Sequence, residues 1–402
     1  MRSIFRWSFG LRFGTGMIAW FLTVFFGFSF LEDALAYENI AGMVAQDWSE
    51  GKQSAWLERE MTTGGKEPWA LITLFAVLYF FTGGIQLLPL VIAFYCLITA
   101  WTPVLTYRIT RQLGGSPRAA RISGWLVTLS PAFAFWSGAL YKEGLILLVL
   151  NFAVYHGLRL QGKWRWQSLL FLGLCLGALC GLRFYLVAFL GPALILGLLL
   201  GRKQPNAGPT GSWVLLRQIM LVSILLGIGM GLGFTDRLQQ SIPLDLQEGL
   251  TQIETSRRDL ATYQSGYLPD VRITTPEEAL AFLPVGLAYF LTVPLPWHWG
   301  ALRQNLAIPD TLFWVLLYPV ILVGIRRAWS RNFRGTVPLI AFTVAISCFY
   351  ALFIGNIGTA YRERIQVWLL WAPFAGMGWD FLRPPQRAAF PPPARRGGYV
   401  RP

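Results

Sequence analysis

The chain has 402 residues, of which 54% are hydrophobic and only 13% charged, and its formal net charge is +14. A mean hydropathy of +0.48 and repeated long apolar runs exclude an ordinary soluble globular domain and indicate a polytopic membrane protein. No P-loop motif is present, which argues against a pump driven by ATP.

Apolar segments in chain order predict an all-α polytopic membrane protein with about ten transmembrane helices. The predicted spans are 15–31, 85–107, 122–140, 144–158, 167–182, 184–200, 213–234, 309–325, 336–354 and 365–382. Two further apolar segments, 68–82 and 279–296, are predicted to be interfacial or re-entrant helices on the outer face. A span at 68–82 would place the basic segment YRITRQLGGSPRAAR outside, against the positive-inside rule.

The distribution of charge predicts the orientation of the chain in the membrane. With both termini cytoplasmic, the inner segments carry 22 Lys/Arg and one acid, and the outer segments carry 12 Lys/Arg and 19 acids. The basic balance therefore indicates orientation in the membrane, expected to be the inner (plasma) membrane, and not nucleic-acid binding. We expect one transmembrane domain over 1–382, with outer loops 32–82 and 235–308, followed by a disordered basic cytoplasmic tail at 383–402.

The stretch SFLEDALAYENIAGMVAQDW, residues 29–48, places Glu32 and Asp33 directly after the first apolar run. Helical spacing predicts a short amphipathic helix, with one face formed by Asp33, Tyr37, Ile40, Val44 and Trp48. A partly desolvated carboxylate accepts a proton more readily from a bound hydroxyl or amine, so Asp33, beside Glu32, is a candidate catalytic base. The alternative is that both acids only cap the helix and stop membrane transfer.

A second alternative concerns processing of the N-terminus. The ALA sequence at 34–36 follows a basic segment and an apolar run, so residues 1–36 could form a cleaved signal peptide. Cleavage would remove Asp33. The four cysteines lie in apolar runs without metal-ligand spacing, and we interpret them as packing residues.

Isolated charges in apolar surroundings mark the other candidate substrate-binding residues. Lys142 and Glu143 occupy a turn of a few residues between two predicted spans, either as a structural ion pair or as ligands of a phosphate and a cation. Arg183 lies within ALCGLRFYLVAFL and needs an anionic or carbonyl partner, because a guanidinium cannot shed its charge. Tyr185 follows two residues later.

The segment GNIGTAYRERIQVW places Arg362 and Arg364 at the outer end of the last predicted span. Guanidinium groups bind phosphate oxygens bidentately, although both side chains could instead reach lipid headgroups. A carboxylate and several cations on the outer side are the groups expected at a site that binds a lipid-linked phosphosugar and transfers its sugar. The cations would hold the phosphate leaving group and the carboxylate would deprotonate the attacking acceptor.

The segment DALAYENIAGMVAQDW resembles the first outer loop of GT-C fold membrane glycosyltransferases, the dolichyl-phosphate-mannose protein mannosyltransferase superfamily and its bacterial relatives. The run LTYRITRQLGGSPRAARISGWLVTLSPAFAFWSGALYKEGL is similar to their helices two to four. FLPVGLAYFLTVPLPW and GNIGTAYRERIQ resemble bacterial members found in surface-polysaccharide gene sets. The resemblance covers roughly residues 15–380 and consists mainly of the order of these segments.

The resemblance implies transfer of a sugar, with inversion, from a polyprenyl-phosphate donor to a glycan, lipid or protein acceptor on the outer face. Asp33 would be the base, and Glu143 would correspond to a second-loop acid that in some relatives helps to bind a divalent cation (Mg²⁺ or Mn²⁺). Glu32 before Asp33 departs from the usual Asp-Glu or Asp-Asp pair. Without a large outer C-terminal domain, acceptor recognition is expected from 38–82 and 235–308.

Two other functions fit parts of the same pattern. A polysaccharide polymerase or O-antigen ligase would need Arg183, Arg362 and Arg364 but not Asp33. A carrier or flippase of an anionic lipid-linked substrate would need polar residues along the middle of its helices, and few occur there.

Overall fold

A computed structural model describes residues 1–63, 67–162, 165–200, 245–262, 265–300 and 302–383, together with Met220. This described part of the chain is all-helical and contains no β-strand. The predicted span 213–234 and the predicted tail after Arg383 lie outside the described residues.

The helices of the described residues are numbered here in chain order. The first eight are α1 (Arg2–Phe26), α2 (Glu32–Ser49), α3 (Ala55–Thr63), α4 (Trp69–Phe81), α5 (Leu88–Thr99), α6 (Thr102–Gln112), α7 (Pro117–Leu129) and α8 (Pro131–Gly138). The next eight are α9 (Lys142–Gly162), α10 (Trp166–Arg183), α11 (Tyr185–Leu199), α12 (Leu246–Ala261), α13 (Pro276–Thr292), α14 (Leu302–Arg331), α15 (Phe333–Phe353) and α16 (Ile357–Leu382).

Six helical segments of the described chain are long and apolar enough to cross a membrane, which identifies a membrane protein. They are Arg2–Phe26, Leu88–Gln112, Lys142–Gln161, Trp166–Arg183, Leu302–Arg331 and Phe333–Phe353. Trp69–Phe81 and Tyr185–Leu199 are shorter apolar helices. Six candidates support the coarse prediction of a polytopic chain, and the predicted number of ten is not reached by this criterion.

Several predicted boundaries are wrong, and local chemistry explains why. The first helix begins at Arg2 and ends at Phe26, because Gly27 adopts a left-handed conformation with φ 69° that closes the helix. The predicted span 122–140 is two helices that meet at Ser130, since Pro131 cannot continue the hydrogen-bond ladder of α7. The predicted span 85–107 corresponds to the single apolar segment Leu88–Gln112, within which a turn at Ala100 and Trp101 separates α5 from α6.

Helix α16 is the central helix of the bundle, because nearly every side chain from Glu363 to Gly378 is buried. It packs most extensively against α14 and α7. Trp314 of α14 stacks on Trp368 of α16 with ring centroids 5.1 Å apart. Small residues permit this close approach, as is typical of helix pairs in membranes, and a Cβ at Gly324 would overlap the backbone carbonyl of Phe374.

The two ends of the bundle differ in composition. One, the basic end, brings together the α6–α7, α9–α10 and α14–α15 connections. Arg331 donates to the carbonyl of Gly114 (2.9 Å), and Gln161 donates to the carbonyl of Arg334 (3.0 Å). The other, the site end, brings together the α1–α2 and α8–α9 connections, where the Tyr141 hydroxyl donates to the carbonyl of Phe30 at 2.9 Å.

Replacing Gly324 by Val is expected to destabilise the bundle by about 1–3 kcal/mol, because the added methyl groups would force α14 away from α16. Gly191→Ala in α11 is the control, since a Cβ there meets nothing within 4 Å. Thermal unfolding of the detergent-solubilised protein measures both changes. Equal stability of Gly324→Val and the parent protein would contradict close α14–α16 packing.

Candidate functional site

Five charged side chains from four helices form one connected ion-pair network at the site end. Asp33 in the first turn of α2 accepts from Arg362 of α16, with Oδ2 2.9 Å from Nη1. The Nε atom of Arg362 lies 2.7 Å from Glu143 Oε1 in the first turn of α9. Arg183, the last residue of α10, lies 2.9 Å from the same oxygen and also pairs with Glu363 of α16.

The members of this network differ in burial, and Asp33 is the most exposed of them. The Asp33 side chain is 44% exposed and that of Arg362 is 19% exposed, whereas Glu143 is fully buried. The Arg183 and Glu363 side chains are each 8% exposed. Asp33 is therefore the member that a molecule arriving from outside the bundle can reach, and the deeper members hold Arg362 in place.

The buried end of the network continues into neutral hydrogen-bonding groups. Gln366 donates to Glu363 at 2.9 Å, and the Tyr350 hydroxyl of α15 lies 3.2 Å from the same carboxylate. Tyr185 contacts the Tyr350 hydroxyl at 3.1 Å, and its ring centroid lies 5.7 Å from the Arg183 guanidinium carbon. The predicted Tyr185 thus supports Arg183 from α11.

Aromatic rings enclose the Arg362 guanidinium. Its central carbon lies 5.4 Å from the ring centroid of Trp136 and 5.0 Å from that of Tyr141. Burial raises the pKa of Tyr141 to about 12, so its hydroxyl stays protonated and keeps donating to the carbonyl of Phe30. Cation–π contacts of this kind are favourable in a desolvated setting and fix the plane of the guanidinium.

The remaining residues predicted around Asp33 have different positions. Tyr37 is buried one turn further along α2, where burial and then the Asp33 carboxylate raise its pKa, so the phenol remains neutral. Glu32 is exposed and makes no ion pair within the described chain. Its predicted participation in catalysis therefore has no supporting contact.

The predicted structural ion pair between Lys142 and Glu143 is wrong. Glu143 pairs with the two arginines instead, and among the described residues no carboxylate lies within 4 Å of the Lys142 ammonium. Lys142 is half-buried beside the network. Lys142 carries no ion pair in the described part of the chain, in contrast to Arg183 and Arg362.

Arg364, predicted with Arg183 and Arg362 to bind substrate, does not join the network. Residues two positions apart on a helix point to roughly opposite sides, so Arg364 faces α13 and α14 while Arg362 faces α9. Arg364 donates to the carbonyls of Phe290 (3.0 Å) and Val293 at the end of α13. It is fully buried and binds the last carbonyls of that helix, a structural role for a cation.

The alternative that Asp33 merely caps α2 is not supported by the hydrogen bonds. The N-cap position is Leu31, and no side chain caps this helix end. The Asp33 carboxylate is directed toward Arg362 instead. Its charge still suits the first turn of a helix.

A divalent cation does not fit at Glu143, because two guanidinium groups already lie on its carboxylate and would repel a metal. Its second oxygen is buried without a hydrogen-bond partner. Among the described residues, no group of three or more His, Cys, Asp or Glu side chains lies close enough to hold a metal.

The sequence analysis did not identify two acids that make important polar contacts in the structure. Glu363 stands between the two arginines of YRERIQ and pairs with Arg183 of α10, and an acid within an isolated RER triplet was the available signal. Asp310 of α14 accepts hydrogen bonds from the Ser130 hydroxyl (3.0 Å), the Ala132 amide (3.2 Å) and the Tyr361 hydroxyl (3.0 Å). It thereby fixes the first turn of α8 against α14. No pattern in the sequence indicates this contact.

Comparison with models of known protein families finds no match, and no curated protein sequence is significantly similar to this chain.

Glu143→Gln is expected to destabilise the protein by about 1–3 kcal/mol, because Arg183 and Arg362 lose the buried carboxylate that they share and keep only Glu363 and Asp33. Arg183→Gln should also destabilise the protein, because Glu143 and Glu363 both lose an ion-pair partner. Because the groups share partners, the double variant should lose less than the sum of the two single losses. Unfolding measurements on all four proteins test this; strictly additive losses would refute the coupling.

Proposed function

We propose that this protein is an integral membrane glycosyltransferase of the GT-C type. It transfers a sugar from a polyprenyl-phosphate donor to a glycan, lipid or protein acceptor on the outer face of the inner membrane. The observation that supports this proposal best is the exposed Asp33 carboxylate, oriented by Arg362 at the edge of a buried ion-pair network. An accessible carboxylate held in place by neighbouring side chains has the geometry that a general base requires.

In the proposed reaction, Asp33 accepts the proton of an acceptor hydroxyl while that oxygen forms a bond to the anomeric carbon. The bond between the anomeric carbon and the phosphate oxygen breaks, and polyprenyl phosphate leaves with the bonding electron pair. Attack opposite the leaving group inverts the anomeric configuration. Arg362 fixes the carboxylate through its 2.9 Å contact, and Glu143 fixes Arg362 in turn.

Lys142 is the proposed ligand of the donor phosphate. The network itself contains three carboxylates and two guanidinium groups, so both arginines are already neutralised by acids of the chain. A phosphate would have to displace a carboxylate from either of them. Lys142 lies beside this network without an ion pair in the described residues, and its ammonium is therefore the better partner for an anion.

The same charge balance weighs against a polymerase or ligase that relies on arginines alone. It also weighs against a carrier, because the charged cluster lies at one end of the bundle and a transport route would need polar groups along its length. Both alternatives predict different outcomes for the variants below.

Asp33→Asn should lower sugar transfer by about 100-fold or more, since the amide cannot accept the acceptor proton. The assay follows release of undecaprenyl phosphate from a panel of undecaprenyl-phosphate-linked hexoses, with a bacterial envelope extract as acceptor. Glu32→Gln removes a neighbouring charge that makes no ion pair in the described chain, and it should retain activity. Full activity of Asp33→Asn, with Arg362→Gln inactive, would favour the ligase alternative.

Lys142→Gln should raise the KM for the lipid-linked donor about tenfold, because one charge-assisted contact to phosphate is lost. Lys142→Arg, which retains the positive charge, should recover most of the affinity. An unchanged KM in Lys142→Gln would remove Lys142 from the phosphate site while leaving the role of Asp33 untouched.

A further inference from the structure

A cavity of about 580 Å³ opens at the basic end, on the opposite side of the bundle from the ion-pair network. It lies where the end of α9, the start of α10 and the α14–α15 connection meet. The described residues that line it are Gln112, Leu158, Arg159, Gln161, Arg165, Asn332 and Arg334. Three are arginines, three carry amides, and none of these lining residues is acidic.

Neither Arg159 nor Arg165 has a carboxylate partner among the described residues. Asp380 at the end of α16 is engaged elsewhere, since the Ser116 hydroxyl donates to it at 2.6 Å and Arg118 lies 3.7 Å away. Arg159 donates to the Tyr155 hydroxyl at 3.2 Å, which directs its guanidinium without neutralising it. Guanidinium groups beside amide donors form a good binding site for phosphate oxygens.

An apolar strip begins directly beside the cavity. Arg165 precedes α10, and the next residues on one face of that helix are Trp166, Leu170 and Leu174, spaced four positions apart. Their side chains are strongly exposed, at 64%, 51% and 60%. Arg165 and Trp166 lie where a lipid headgroup would be, and the leucines that follow lie where its acyl chains would be.

We infer that this cavity binds the headgroup of an anionic phospholipid, whose acyl chains lie along the exposed face of α10. The inference is independent of the proposed glycosyl transfer, because it concerns the other end of the bundle. Basic pockets between membrane helices attract anionic headgroups, and each arginine near the surface contributes about fivefold in affinity. The apolar strip favours a lipid over a free phosphate.

Native mass spectrometry of the full-length protein in detergent tests this inference, with phosphatidylglycerol as the probe and phosphatidylcholine as the neutral comparison. Arg165→Gln should weaken phosphatidylglycerol binding about fivefold, and the double variant R159Q/R165Q about 25-fold. Arg165→Lys should retain most of the binding and shows that the position tolerates substitution. Arg326→Gln, an exposed arginine of α14 outside the cavity, is the matched control.

Three results would overturn the inference. Arg326→Gln weakening the binding as much as Arg165→Gln would indicate a general surface potential. Equal binding of phosphatidylcholine would show that the net charge of the headgroup is not recognised. Complete displacement of phosphatidylglycerol by inorganic phosphate would identify a site for a free anion.

Discussion

The structure depends on the compensation of guanidinium charge inside an apolar bundle. Arg183 ends a helix whose other residues are almost all apolar, and its charge persists in any environment. It therefore needs anionic or carbonyl partners, and the structure supplies carboxylates from α9 and α16. Leaving a buried charge unpaired costs several kcal/mol, so the network restricts how these helices can be arranged.

The two ends of the molecule differ in the balance between acidic and basic side chains. At the site end, the acids and arginines of the ion-pair network neutralise one another, and Asp33 is the most exposed member of that network. At the basic end, arginines exceed the acids, and Asp380 is already bound by Ser116 and Arg118. The balanced charges of the site end suit a reaction of a neutral hydroxyl group. The excess of arginines at the basic end suits the binding of anions.

The hydrophobic pattern predicted the all-helical class and located most apolar helices, because hydropathy and length determine which segments can enter a membrane. Helix boundaries were less predictable. Gly27 and Pro131 decide where α1 ends and where α7 gives way to α8, and both effects are local backbone chemistry within longer apolar runs.

The members of the candidate site were partly predictable. Isolated charges such as Asp33, Glu143 and Arg183 stand out in apolar sequence, because a bundle tolerates them only with partners. Which charges pair could not be predicted, since pairing depends on helix rotation. Glu143 binds Arg183 and Arg362 and not the adjacent Lys142, and Arg364 points away from the network.

The first turns of α16 direct four consecutive side chains to separate destinations. Tyr361 contacts Asp310 on α14, Arg362 reaches α2 and α9, Glu363 reaches α10, and Arg364 binds the end of α13. All four contacts depend on the same rotation of α16 about its axis. The buried remainder of the helix fixes that rotation as well. Inserting or deleting a single residue between this tetrapeptide and the core of α16 would rotate every one of them by about 100° at once. The length of that segment is consequently as constrained as its composition.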